Sequence, residues 1–141
     1  QDLFPTLLAA ARVEVPGWYA PVVEGRELSP LLRGEGGPSW SERPIFWHQP
    51  HLWGVDGPGI WPYSAVRRGR WKLVHDHADG RLELYDLGLD PGETTDVAAE
   101  RPEVVRRLAE ELSTWIERSG ARLSLRREDG APVATARDLA R

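Results

Sequence analysis

Cysteine is absent from these 141 residues, which removes disulfides, thiolate metal sites and thiol nucleophiles together and leaves the redox compartment open. No apolar run approaches the roughly 18 residues of a membrane span. Positive charge is in short supply as well: 18 basic against 22 acidic residues give a net charge of -4, so no basic field exists to hold a nucleic-acid backbone. Neither nucleic acid nor a membrane span is expected. Lysine is nearly missing, Lys72 being the one example, a bias that fits a GC-rich genome and carries no chemical weight. The chain also lacks G-x-S-x-G, which removes the serine-hydrolase elbow, and G-x-x-x-x-G-K, which removes the phosphate cradle. Gln1 begins in mid-pattern without a signal peptide or an initiator methionine, which predicts a piece of a longer protein.

What is present has the size of one domain, long enough to bury roughly two-thirds of its unfolded surface. Leu3, Phe4, Leu7, Leu8 and Ala11 recur at helical spacing after Asp2, predicting a short helix over 3–11 with Asp2 accepting from its first free amides. Prolines and glycines over 15–38 read as connective, with at most one helical turn in LSPLLRG. The pattern then switches to period two in RPIFWH (43–48) and again over 64–87, where Arg68-Gly69 and Asp79-Gly80 are turn signals between apolar runs. That predicts an antiparallel meander, with Trp71, Leu73 and His75 on one face and Lys72 and Val74 on the other. DLGLDPGETTD (86–96) is turn chemistry. From Pro102, Val105, Leu108, Leu112, Trp115 and Ile116 form an apolar stripe opened by Pro102 and Glu103 and closed by Gly120, the most secure helix in the chain. The expected architecture is α+β: a four-stranded antiparallel sheet packed by one C-terminal amphipathic helix and preceded by a short helix and connecting loops. Residues 121–141 show a short alternation at Leu123 and Leu125 and no decisive pattern.

Chemistry concentrates in WHQPHLWG (47–54). Four histidines form two pairs, His48-x-x-His51 and His75-x-His77, which together could supply a tetrahedral zinc set. Against this, His77 falls in a turn, His51 falls in a proline-bounded loop, and nothing in the sequence fixes the pairs near each other, so no metal site is assigned. The carboxylates of Asp86, Asp90 and Glu93 sit in a turn on a solvated face and are assigned no catalysis. Trp47, Trp53, Trp61 and Tyr63, beside His48, Gln49 and His51, suit a gripping surface: flat rings stack on sugar or aryl faces, and imidazole or amide groups bond hydroxyls and anions. Trp47 and Trp71, both on strands, are expected in the core instead.

These residues also carry a resemblance. PTLLAAARVEVP, EGRELSPLLRG, RPIFWHQPH, SAVRRGRWKLV and LELYDLGLDPGETTDVAAERPEVVRRLAEELSTW, in that order over residues 2–118, resemble the C-terminal portion of the arylsulfatase-like sulfatases, within the alkaline-phosphatase-like superfamily. The most specific parts are AVRRGRWKLV and ELYDLGLDPGETTDVA. Glu24-Gly25 stands where the family often has Asp-Gly, and the tail after Gly120 matches no pattern of the family.

The resemblance implies a large α/β domain bearing the active site and a small C-terminal domain of four antiparallel strands and a helix. On that basis residues 1–42 belong to the end of the large domain, 43–120 form the small one, and 121–141 are a tail without an assigned structure. It implies calcium and a formylglycine in the parent enzyme, the latter made from the Cys or Ser of a C/S-x-P/A-x-R motif that this chain lacks, so the segment itself carries no cofactor, no catalytic residue and no activity. The partners implied are the large N-terminal domain and, in the parent, a sulfated sugar or aryl sulfate. His51 first, then His48 and Trp53, are the expected contacts to the non-sulfate part of such a substrate. Two rival readings stand beside this one. The first is a purely structural or interface domain whose aromatic loop seals a protein contact; the second is the small domain of a related phosphodiesterase or phosphonate hydrolase, distinguished only by an upstream nucleophile motif.

Overall fold

A computed structural model describes residues 1–20, 23, 25–52, 54 and 60–141. They form two compact units, 1–41 and 42–141. In the first, α1 (Leu3–Ala10) follows the apolar spacing expected of it. Asp2 does not cap it, however. Its Oδ1 accepts the Arg26 N–H at 2.9 Å, while Thr6 Oγ1 donates to the Asp2 carbonyl at 2.6 Å and accepts the Leu28 N–H at 2.8 Å. The polar groups at the start of the helix are therefore spent on tying it to residues 26–28. Single helical turns follow at α2 (Ser29–Leu32) and α3 (Pro38–Ser41); the second lies beyond the one turn expected from the sequence. α1 buries none of its side chains, and Leu3, Leu7, Trp18 and Leu32 stand exposed.

The second unit is the meander. Strands β1 (Ile45–Gln49), β2 (Tyr63–Arg68), β3 (Trp71–Asp76) and β4 (Leu82–Asp86) pair antiparallel in chain order. Register places Phe46, Val66, Leu73 and Leu84 side by side across the sheet, and His48, Ser64, His75 and Leu82 in the next row on the same face. The β2–β3 turn favours Gly69, whose φ of 59° lies in the left-handed region that a side chain makes costly.

Helix α4 (Pro102–Ser119) covers that face. Val105, Leu108, Leu112 and Ile116, the stripe read from the sequence, are buried against Val66, Leu73 and Leu84, and Trp115 stacks on Phe46 with ring centroids 4.8 Å apart and planes 5° from parallel. Burying each of the large aliphatic side chains is worth about 1.5–3 kcal/mol, so this face supplies most of the driving force. Gly120 ends the helix in the left-handed conformation, φ 67°, as its sequence position indicates. The C-terminal segment has an ordered place: a short helix α5 (Ala136–Leu139), capped by Thr135, puts Ala136 into the core at 1% exposure.

One core expectation fails. Trp47 is 39% exposed. Phe46 and His48 take the helix-facing side, so alternation turns Trp47 to the other, opposite the buried Ala65 and with Lys72 Nζ 5.8 Å from its ring centroid. Trp71 packs at the margin of the core, as expected.

Candidate functional site

His48 of the first histidine pair meets both members of the second through the sheet register, and His51 does not. Alternation along β1 points His48 to the helix-facing side, and antiparallel pairing sets Ser64 opposite it and His75 opposite Ser64. His77 follows β3 in a turn whose backbone is set by Asp76, which accepts the Ala78 N–H at 2.7 Å. The ring of His77 lies 4.7 Å from His75 and 5.9 Å from His48, centroid to centroid.

These rings are wired into the fold. His48 Nδ1 meets Ser64 Oγ at 2.8 Å, and Ser64 Oγ meets His77 Nε2 at 2.8 Å. On the far side, His77 Nδ1 meets Ser124 Oγ at 2.8 Å, and Ser124 donates to the Pro50 carbonyl at 2.7 Å. His48 Nε2 lies 2.9 Å from the Arg122 carbonyl. His75 differs: it is fully buried and neither ring nitrogen has a hydrogen-bond partner. Burial pushes its pKa down to about 4, the Asp76 carboxylate opposing the shift. The pKa of His77 falls to about 3, by burial first and then by the positive charge that His75 and His48 can carry. Both are held as neutral imidazoles.

The expected contact residues separate. His51 is exposed, one residue beyond Pro50, where β1 has ended. Trp53 lies outside the described residues. Both ring nitrogens of His48 are engaged inside the fold. Trp61, near the other end of the same connection, is 54% exposed. That connection, residues 50–62 between β1 and β2, is anchored at both ends by one residue: the backbone N–H of His77 donates to the Pro62 carbonyl at 2.9 Å, and its ring reaches the Pro50 carbonyl through Ser124. Ser64 and Ser124 are the participants that sequence reasoning missed, while His77 was weighed there only as a metal ligand. The one available signal was the strand register, which sets Ser64 beside His48; nothing local marks Ser124, which arrives from a segment without pattern.

Among the described residues, no group of three or more His, Cys, Asp or Glu side chains is arranged to hold a metal ion. The ring nitrogens of His48 and His77 face serine hydroxyls and, at His48 Nε2, a backbone carbonyl instead. Among the described residues no such group answers to the calcium implied for the parent enzyme, and the sequence has no cysteine from which a formylglycine could be made.

A four-stranded antiparallel sheet with one long helix across one face and a pinned loop leaving its first strand defines a small α+β domain of the kind appended to larger catalytic domains. The family described as N-sulphoglucosamine sulphohydrolase, C-terminal, matches residues 1–118, and the chain belongs to it. A sulfatase of Formosa agariphila is 27% identical over 127 residues, covering 85% of this chain and 23% of its own length. The Delta 4,5-hexuronate-2-O-sulfatase of Bacteroides thetaiotaomicron is 35% identical over 122 residues, covering 84% of this chain and 23% of its own. A structure solved in complex with its substrate D-glucosamine-2-N,6-O-disulfate superposes with a TM-score of 0.61 at 25% identity, over 92% of this chain and 24% of that one. The chain thus spans about a quarter of the length of the relatives it matches.

Proposed function

We propose that this chain is the C-terminal part of a sulfuric ester hydrolase, and that it completes the fold of the enzyme and lines part of its substrate cleft. Residues 1–42 are assigned to the end of the large domain and 43–120 to the small one, a division supported by the separation of units at 41 and 42. The chemistry belongs to residues outside this sequence.

The observation that carries the cleft reading is the placement of His51. It stands exposed on a connection whose two ends are tied to His77. A side chain held that way is presented to a partner at little cost in loop ordering. An imidazole suits the hydroxyls and anionic groups of a sulfated sugar, and Trp53, from its sequence position, would supply a flat ring. Relatives named or solved with hexuronate and glucosamine sulfates favour a sugar over an aryl sulfate. His48 is proposed as a support beneath the loop, its nitrogens being already occupied.

The test is kinetic and uses the full-length enzyme. His51→Ala and Trp53→Ala should each raise KM for a sulfated disaccharide about tenfold, the loss of one good contact, while kcat holds. Unchanged kcat/KM in both variants would remove the recognition role and leave the domain a structural one. The exposed Leu3, Leu7, Trp18 and Leu32 of the first unit fit a surface that packs on the large domain under either outcome.

A further inference from the structure

The polar chain through Ser64 has a proton count that does not close. Its five hydrogen bonds run from the Arg122 carbonyl through His48, Ser64, His77 and Ser124 to the Pro50 carbonyl. Each bond needs one proton. Carbonyl oxygens only accept, so neither end supplies any. Neutral His48 and His77 bring one ring proton each, and Ser64 and Ser124 one hydroxyl proton each: four protons for five bonds. Ser124 gives its proton to Pro50, so His77 must donate from Nδ1 and accept at Nε2. Ser64 then donates to His77 and accepts from His48 Nδ1, leaving His48 Nε2 bare against a carbonyl oxygen.

The geometry points to a network that binds one proton more than its four members carry when neutral, and that in doing so locks both ends of the 50–62 connection. With the fifth proton, His48 donates from both nitrogens, to Ser64 and to Arg122, and every bond closes. His77 is the poorer resting place, since it is only 4% exposed and its pKa is lowered to about 3 by burial and by its two neighbouring rings. Moving the charge from His48 to His77 takes two coupled transfers, the Ser64 hydroxyl proton passing to His77 Nε2 as Ser64 Oγ takes the proton of His48 Nδ1, so the two sites are alternatives on one relay. The groups facing the relay come from every layer: His75 from β3, with Asp76 acting on it, the edge of the Trp115 ring from α4 at 6.3 Å from His48, and the main chain of the C-terminal segment.

His48, Ser64, His77 and Ser124 are thus positioning residues for the connection that carries His51. The inference rests on the proposed function only in naming that connection as substrate-facing.

Nitrogen-15 NMR of the histidine rings tests it without reference to activity. In the full chain at neutral pH, His48 should show both nitrogens protonated and His77 the neutral Nδ1–H form. A doubly protonated His77 beside a neutral His48 would contradict its burial and overturn the assignment of the extra proton to His48. Ser124→Ala frees His77 from its obligation to donate at Nδ1, so the count falls to a number the neutral groups can meet, and the doubly protonated ring should revert to the neutral form. Both rings neutral in the folded wild-type chain would overturn the inference. So would a doubly protonated ring that persists unchanged in Ser124→Ala, or in Ser64→Ala, where the relay is cut at its centre. Since none of these readouts involves His51, the recognition role and the proton count stand or fall separately.

Discussion

Lys72 is the only lysine of the chain, and the composition alone gives it no role. Its ammonium lies 2.7 and 2.6 Å from the two carboxylate oxygens of Glu93 and 5.8 Å from the Trp47 ring centroid. Glu93 sits at φ 54°, a left-handed conformation that costs a residue with a Cβ about 1–2 kcal/mol. A half-buried cation with two charge-assisted bonds offsets that cost. Lys72→Met, which keeps most of the apolar stem, should lower unfolding free energy by about 1.5–3 kcal/mol, and Glu93→Gly should cost less than Glu93→Ala because glycine relieves the strain. Urea titrations of the three variants check this, and equal losses for Glu93→Gly and Glu93→Ala would show that the backbone there is unstrained. The sequence announced the turn at 86–96 through its Asp, Pro and Gly residues, but the ion pair that fixes it joins positions 21 residues apart. Trp47 fails for a related reason. Ile-Phe-Trp-His offers a large side chain to both faces, so alternation alone could not say which face meets the helix.

Among the elements, α4 was fully legible, because an apolar stripe at three and four residue steps with Pro102 and Gly120 at its ends admits one reading. The C-terminal segment was not, since its hold on the fold comes from a small residue and an arginine. Ala136 is buried against the core. The Arg137 guanidinium bonds Glu110 at 2.6 Å and Glu117 at 2.6 Å, and the backbone N–H of Arg137 donates to Ser113 Oγ at 3.0 Å. Exposed ion pairs contribute about 0–1 kcal/mol, whereas a carboxylate forced into an apolar pocket costs several. Ala136→Asp should therefore destabilise the second unit by more than about 3 kcal/mol, and Arg137→Ala only slightly. Leu112→Ala, a cavity in the centre of the same helix, sets the scale at about 2–5 kcal/mol. Thermal melts of the three variants rank the contributions, and a milder effect from Ala136→Asp than from Arg137→Ala would mean that the segment is held by its surface charges.

At the scale of the whole molecule, the period-two runs, the turn signals and the amphipathic helix were enough to read an α+β sheet and its order. They could not show that three of the four histidines converge beneath one loop, since that follows from register and from a serine contributed by the C-terminal segment. The convergence makes stability depend on pH. His75 and His77 are held neutral when folded, with pKa values lowered to about 4 and about 3 from 6.5. The unfolded chain binds more protons between those limits, so the contribution of both rings is fully present above about pH 6.5 and is lost as pH falls toward the folded values. Each contributes a slope of about 1.4 kcal/mol per pH unit, and both together about 2.7 kcal/mol per unit in mildly acidic solution. His75 also leaves two buried ring nitrogens unpaired, a penalty of about 1–3 kcal/mol that an apolar side chain of similar volume removes. His75→Leu should accordingly raise stability at neutral pH and halve the acid slope. Urea unfolding measured at steps from neutral to about pH 5 reads both effects at once. An unaltered slope in that variant would show that the acid sensitivity lies elsewhere. A loss of stability at neutral pH would show that the His75 ring has a partner there worth more than its burial costs.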